Sequence, residues 1–183
     1  MINKVICETK RLSIREYTGV DGKELGAFAG KEFITRWLPD WIGAEEWSAP
    51  WIKGKVMNGY KLNNPMEGIL FYAVIEKESG KIVGNVGVHS FNVNEVGVAY
   101  FINEDYKCRG YITEAMQSFV EYIFSKFGYE YLITTIQPDN FGSIAVAKKI
   151  GFDYIETINI VDDGQIEELP FNYYHLGNLN KQN

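Results

Sequence analysis

The spacing of apolar positions changes period several times along the chain, and the changes mark its elements. Arg11 to Glu16 alternates apolar and polar residues and predicts a first strand. Asp21 to Trp41 predicts helix and turn, with Asp21 as a candidate N-cap. Ser48 to Tyr60 predicts a second helix, capped by Ser48, with Pro50 early enough that its missing N–H costs little. Lys61 to Gly68 is polar and contains Asn63-Asn64-Pro65, a loop signature. Phe71 to Glu76, Lys81 to Phe91 and Glu95 to Ile102 read as three strands, joined most simply as an antiparallel meander broken at Ser79-Gly80.

Beyond residue 110 the period becomes helical. Met116, Phe119, Val120, Ile123, Phe124 and Phe127 share one face, and Gly128 supplies a stop. Tyr131 to Gln137 reads as a buried strand ended by Pro138, and Ser143 to Ile150 as a short helix ended by Gly151. Phe152 to Val161 and Phe171 to Gly177 form a last strand pair across the acidic loop Asp162 to Glu168. Strands alternating with helices in the second half, after an antiparallel first half, predict an α/β (α+β) fold around a mixed sheet.

Residues 1–183 read as a single domain, with no repeat, linker or low-complexity tract. A hydrophobic fraction of 46% and an aromatic fraction of 15% suit a packed core. No apolar run reaches membrane-spanning length, and Met1 to Lys10 lacks the apolar core of a signal peptide. A net charge of −6 argues against nonspecific nucleic-acid binding and is compatible with a cationic partner. With only Cys7 and Cys108, a reducing cytosol is the expected setting.

The chemistry concentrates in Tyr106 to Met116, Y-K-C-R-G-Y-I-T-E-A-M, which joins a strand to a helix. Such a turn aims backbone N–H groups and the positive end of the helix dipole at one spot, an anion site. Gly110 removes a side chain where a phosphate must come close, and Lys107 and Arg109 add positive charge. A turn of this kind suits a pyrophosphate.

This segment resembles the acyl-CoA loop of the GNAT acetyltransferases, Gln/Arg-x-x-Gly-x-Gly/Ala, and most closely the Rim-type branch, whose loop is followed by Thr-Glu-Ala. Lys107 takes the Gln/Arg position, Gly110 the central Gly and Ile112 the Gly/Ala position; Cys108 stands where that branch often has another Gly. Glu8-Thr9-Lys10-Arg11-Leu12 resembles the branch's opening strand, and Lys81-Ile82-Val83-Gly84 its central hairpin. Asn140-Phe141-Gly142-Ser143 and Lys149-Ile150-Gly151-Phe152 resemble its Asn-x-x-Ser…Lys-Leu-Gly-Phe signature.

The resemblance implies a mostly antiparallel sheet, splayed near its middle, with helices on both faces and acyl-CoA wedged in the gap. It implies direct, metal-free acetyl transfer from acetyl-CoA to a primary amine: a protein N-terminus, a polyamine or a small amine. An amino sugar or antibiotic acceptor, or a non-catalytic acyl-CoA sensor, are the alternatives, and the oligomeric state is monomer or homodimer. Phe101 and Ile102 are expected to bind the pantetheine arm, Lys107, Cys108, Arg109, Gly110, Tyr111, Ile112 and Thr113 to wrap the pyrophosphate, and Asn140 and Ser143 to face the cofactor.

An alkylammonium titrates near about 10.4 and an α-amine near about 7.7–8.0, so the acceptor must lose a proton. The branch often carries an acidic residue two positions before a Gly-Tyr pair. The pair here is Ala99-Tyr100, and the acidic position is Gly97. Glu95, one pleat repeat back, and His89 are the candidate bases. Ala147 stands where many members of the superfamily have a Tyr general acid; Rim-type members commonly lack it, and the resemblance implies that Ser143, the Ser of Asn-x-x-Ser, is the donor to the departing thiolate. His175 reads as structural, Cys108 as a small loop residue, and Trp37, Trp41, Trp47 and Trp51 resemble the helical cap over the acceptor entrance.

Overall fold

A computed structural model describes residues 4–162 and 164–178. In chain order it contains β1 (Val5–Glu8), β2 (Leu12–Glu16), α1 (Gly22–Ala29), α2 (Glu32–Thr35), α3 (Ala44–Trp51), α4 (Met57–Leu62), β3 (Leu70–Glu76), β4 (Ile82–Ser90), β5 (Val96–Ile102), α5 (Tyr111–Phe127), β6 (Tyr131–Ile136), α6 (Phe141–Ile150), β7 (Asp153–Ile160) and β8 (Leu169–Gly177). The strands make one sheet in the order β1-β2-β3-β4-β5-β6-β8-β7. Every neighbouring pair is antiparallel except β5–β6.

The pleat divides the buried residues of the central strands between two cores. Leu70, Tyr72 and Val74 of β3, with Val86 and Val88 of β4, point to the face covered by α5, whose Met116, Phe119 and Ile123 are fully buried. Ala73, Ile75 and Phe101 point to the other face, under α1 to α4, where Leu25, Phe28 and Trp41 pack. The mixed sheet with helices on both faces matches the expectation from the sequence.

Several local expectations need correction. The sheet begins with β1, a four-residue strand too short to show a period. The second helix starts at Ala44, so Ser48 lies inside it. The Ser48 hydroxyl donates to the carbonyls of Ala44 and Gly22 instead of capping. Pro50 therefore also lies within α3, and a π-helical stretch, Ile52–Val56, follows it before α4. Asp21 occupies the N-cap position of α1 but makes no side-chain cap bond. Its carboxylate accepts from both Arg15 guanidinium ends, at 2.7 and 2.9 Å, and from the Thr18 N–H at 2.6 Å. The acidic side chain thus ties the helical cap to β2. Helix α6 begins at Phe141, capped by Asn140, whose Oδ1 accepts from the Ser143 N–H at 3.1 Å.

No helix among the described residues is long and apolar enough to cross a membrane.

Candidate active site

The parallel pair β5–β6 matches at one position, Gly97 with Ile133, supported by the Thr134 hydroxyl donating to the Val98 carbonyl at 3.2 Å. Beyond that point the two strands separate. Asn103 N–H donates to Val83 of β4, so by alternation the backbone groups of Val98, Tyr100 and Ile102 face the gap. The backbone of Phe101 faces β4, its carbonyl close against Gly84. The Phe101 ring packs 4.7 Å from Trp41, so it shapes the cavity wall, and Tyr100 joins Ile102 as the strand's exposed backbone edge.

The gap opens into a cavity of about 1360 Å³, larger than a typical single-ligand pocket. Val98 to Ile102 line one side, Thr134 to Gln137 the other, and Asn140 and Ser143 the end of α6. The Tyr100 hydroxyl crosses the gap and donates to the Ser143 carbonyl at 2.9 Å. Burial pushes the Tyr100 phenol well above its ordinary range, and hydrogen bonding with the Ser143 side chain pulls the other way.

Two left-handed residues, Cys108 at φ 61° and Gly110 at φ 75°, shape the turn into α5. The first helical bond runs from the Glu114 N–H to the Gly110 carbonyl, leaving the N–H groups of Tyr111, Ile112 and Thr113 without helical partners. Three N–H groups at the start of a helix have the geometry that the sequence reading expects of an anion site. Lys107, Cys108, Gly110, Ile112 and Thr113 line the cavity. The side chains of Arg109 and Tyr111 do not. Arg109 donates to the Asp105 carbonyl at 3.1 Å and lies over the Tyr106 ring, and Tyr111 is buried with its hydroxyl on Glu76 at 2.6 Å. Lys107 pairs with Glu104 at 2.9 Å, an exposed pair that screens its charge.

Glu95 is absent from the cavity lining. Its carboxylate accepts from the hydroxyls of Tyr173 and Tyr131, at 2.5 and 3.0 Å, and from the Asn92 amide. Burial alone would raise its pKa, but these three donors and nearby His175 hold it below the usual carboxylate range. Such a carboxylate is a poor proton acceptor. Glu95 instead clamps β5, β6 and β8 together beside the single β5–β6 pair.

His89 is in the cavity wall. It pairs across the sheet with Gly97, and a Cβ added at Gly97 would lie 3.4 Å from His89 Nε2. The imidazole thus occupies the space beside the position where the resemblance expects an acidic side chain. His89 Nδ1 lies 3.0 Å from the Ser90 carbonyl. A carbonyl only accepts, so in the neutral ring the proton sits on Nδ1 and the lone pair on Nε2.

The sequence of residues 11–153 matches the family model described as Acetyltransferase (GNAT) domain. The chain belongs to the GNAT acetyltransferase family. Among curated proteins it is 28% identical over 145 residues to the uncharacterized N-acetyltransferase YnaD of Bacillus subtilis, covering 78% of this chain and 79% of that one. Among solved structures, the ribosomal-protein-S5-alanine acetyltransferase from Vibrio fischeri superposes with a TM-score of 0.76 at 16% identity, over 97% of this chain and 98% of that one. The microcin C7 self-immunity acetyltransferase MccE, in complex with acetyl-CoA and AMP, superposes with a TM-score of 0.74 at 16% identity, over 92% and 93%.

Within this GNAT fold, two of the signature blocks touch each other. Glu114 of Thr-Glu-Ala faces away from the cavity and holds Thr9 and Arg11, which lie in the turn between β1 and β2 and not in a strand as the resemblance implies. Arg11 also donates to the Arg109 carbonyl at 3.0 Å and lies 4.5 Å from the Tyr111 ring centre. No residue signature in either block marks Arg11 as a brace of the loop before α5. Tyr100 enters the sequence reading only as half of the Ala99-Tyr100 pair, and the structure aims its hydroxyl at the Ser143 carbonyl.

Proposed function

We propose that this GNAT protein transfers an acetyl group directly from acetyl-CoA to a primary amine, with His89 as the base. The observation that carries the reading is the continuity of one cavity from the anion cradle, past the open edge of β5, to His89.

The cofactor fit rests on three features. The Cys108 to Thr113 cradle offers unpartnered N–H groups to a pyrophosphate. Tyr100 and Ile102 present backbone donors and acceptors to an amide-bearing arm, and the cavity volume leaves room for a second substrate. When bound, acetyl-CoA supplies an activated acetyl thioester.

The remaining work falls to side chains. His89 Nε2 accepts the proton that the acceptor amine must lose. The Asn140 side-chain oxygen is engaged by its helix cap, which leaves the amide nitrogen to donate toward the cofactor arm. Ser143, beside Tyr100 at the gap, offers the hydroxyl donor for the departing thiolate, while the Tyr100 hydroxyl is held by the Ser143 carbonyl. Residues Ile102, Lys107, Cys108, Gly110, Ile112, Thr113, Asn140 and Ser143 are the binding set; Arg109 and Tyr111 contribute backbone. The chain works as a soluble, metal-independent enzyme of the cytosol in this reading.

Calorimetry with CoA, paired with thiol release from acetyl-CoA over an amine panel, tests it. Micromolar CoA binding, about −8 kcal/mol, together with amine-dependent thiol release is expected. Binding without any amine-dependent release would make the protein an acyl-CoA sensor, and no binding would remove the cofactor assignment.

A further inference from the structure

The wall beyond His89 is aromatic and continuous. His89 lies nearly parallel to Phe71, with ring centres 6.4 Å apart and planes at 17°. Trp51 meets Phe71 edge-on at 5.7 Å, and Trp47 meets Trp51 at 6.0 Å. Trp41 is buried behind both, 5.1 and 5.2 Å from them. Phe71, Trp47 and Trp51 are only partly buried and all line the cavity.

The floor beneath these rings is made of small residues. Phe71 lies across Gly87, where an added Cβ would come within 2.6 Å of the ring, and His89 lies across Gly97. Ala99 continues the same face, opposite Gly87. No strand residue on this floor is acidic. The cavity's carboxylates, Asp40, Glu67, Asp139 and Asp162, come from the segments between strands.

This composition discriminates among amines. A polyamine carries several cationic centres and needs carboxylates spaced along its length. An amino sugar needs a polar partner for each hydroxyl, because an unpaired buried polar group is costly. Aromatic planes over a glycine floor favour a flat apolar group instead.

We infer that Phe71, Trp51 and Trp47 form an acceptor subsite for a primary amine borne one or two carbons from an aromatic group. The inference rests on the transferase reading above and narrows its acceptor. The amine would reach His89 Nε2 while its ring packs along Phe71 and Trp51. Two sources share that chemistry: a free arylalkylamine and a peptide with an aromatic N-terminal residue.

The test compares kcat/KM at saturating acetyl-CoA for phenethylamine, a phenylalanyl peptide, an alanyl peptide, spermidine and glucosamine. At least one aromatic acceptor should exceed the alanyl peptide, spermidine and glucosamine by ~10-fold or more, the range one apolar side chain contributes to discrimination. Whichever aromatic probe leads identifies the source. In Trp51→Ala the aromatic-to-alanyl ratio should collapse toward one, and in Phe71→Leu, which keeps apolar volume, it should fall severalfold. Spermidine or glucosamine as the best acceptor, or an unchanged ratio in folded variants, would overturn the subsite and leave acetyl transfer standing. No turnover of any amine would remove both readings.

Discussion

Arg11 and Glu114 meet through two contacts of 2.7 and 2.6 Å from the guanidinium to one carboxylate oxygen, while the Arg11 N–H donates to the other oxygen at 3.1 Å. The same guanidinium reaches the Arg109 carbonyl, so the turn between β1 and β2 is tied to the loop that precedes α5. The positive charge that the sequence reading expects in the loop from Arg109 is directed at the Asp105 carbonyl and the Tyr106 ring, and a residue nearly a hundred positions earlier braces the loop.

Arg11→Ala should therefore weaken CoA binding by about tenfold, or 1.4 kcal/mol, with kcat nearly unchanged. Calorimetry and the split between KM and kcat would show it. Equal loss of both parameters would mean that Arg11 reaches the reacting atoms.

Cys108 occupies a left-handed conformation that costs an ordinary side chain roughly 1–2 kcal/mol. Cys108→Gly relieves the strain but adds unfolded-state entropy. The expected result is a protein between equally stable and about 1 kcal/mol more stable, with CoA binding retained. Because the thiol is exposed and lines the cavity, CoA should also slow its alkylation. Equal labelling rates with and without CoA would place the pyrophosphate elsewhere.

The Arg15–Asp21 pair is 13% and 8% exposed and holds the helical cap to β2. Burial raises the Asp21 pKa, but hydrogen bonds from Arg15 and Thr18 outweigh it and hold the carboxyl below its ordinary value. The stability it contributes is therefore fully present above the unfolded carboxyl pKa of about 3.9 and is lost as pH falls through the lower folded value. Asp21→Ala should cost about 3 kcal/mol at pH 7, by denaturant titration. The gap to the unsubstituted protein should shrink as the pH is lowered below about 4. A gap independent of pH would contradict the ionic account.

Glu95 separates the clamp reading from catalysis. Glu95→Gln should lower thermal stability, yet change acceptor kcat/KM by less than about threefold at saturating acetyl-CoA. A loss of about 10²-fold or more with the melting temperature preserved would restore it as the base.

Much of this was readable in the sequence because it is local. The 3.6-residue stripe of α5, the strand meander and the Gly110 turn each lie within one short window. The splay was not readable from period alone, since it depends on β5 and β6 pairing at Gly97 and Ile133 and nowhere beyond. Glu95 resisted for the same reason: its partners Tyr131 and Tyr173 lie 36 and 78 residues away. The orientation of His89 follows from a cross-strand register and a neighbouring carbonyl, neither of which has a residue signature.

The most direct measurement counts free CoA thiol against N-acetylated amine, for the unsubstituted protein and His89→Gln in parallel. The account predicts one thiol per acetylated amine, and a fall of about 10²–10⁴-fold in kcat/KM for the variant with CoA affinity preserved. Thiol release that no amine accelerates, or a His89→Gln variant that acetylates at the original rate, would contradict it.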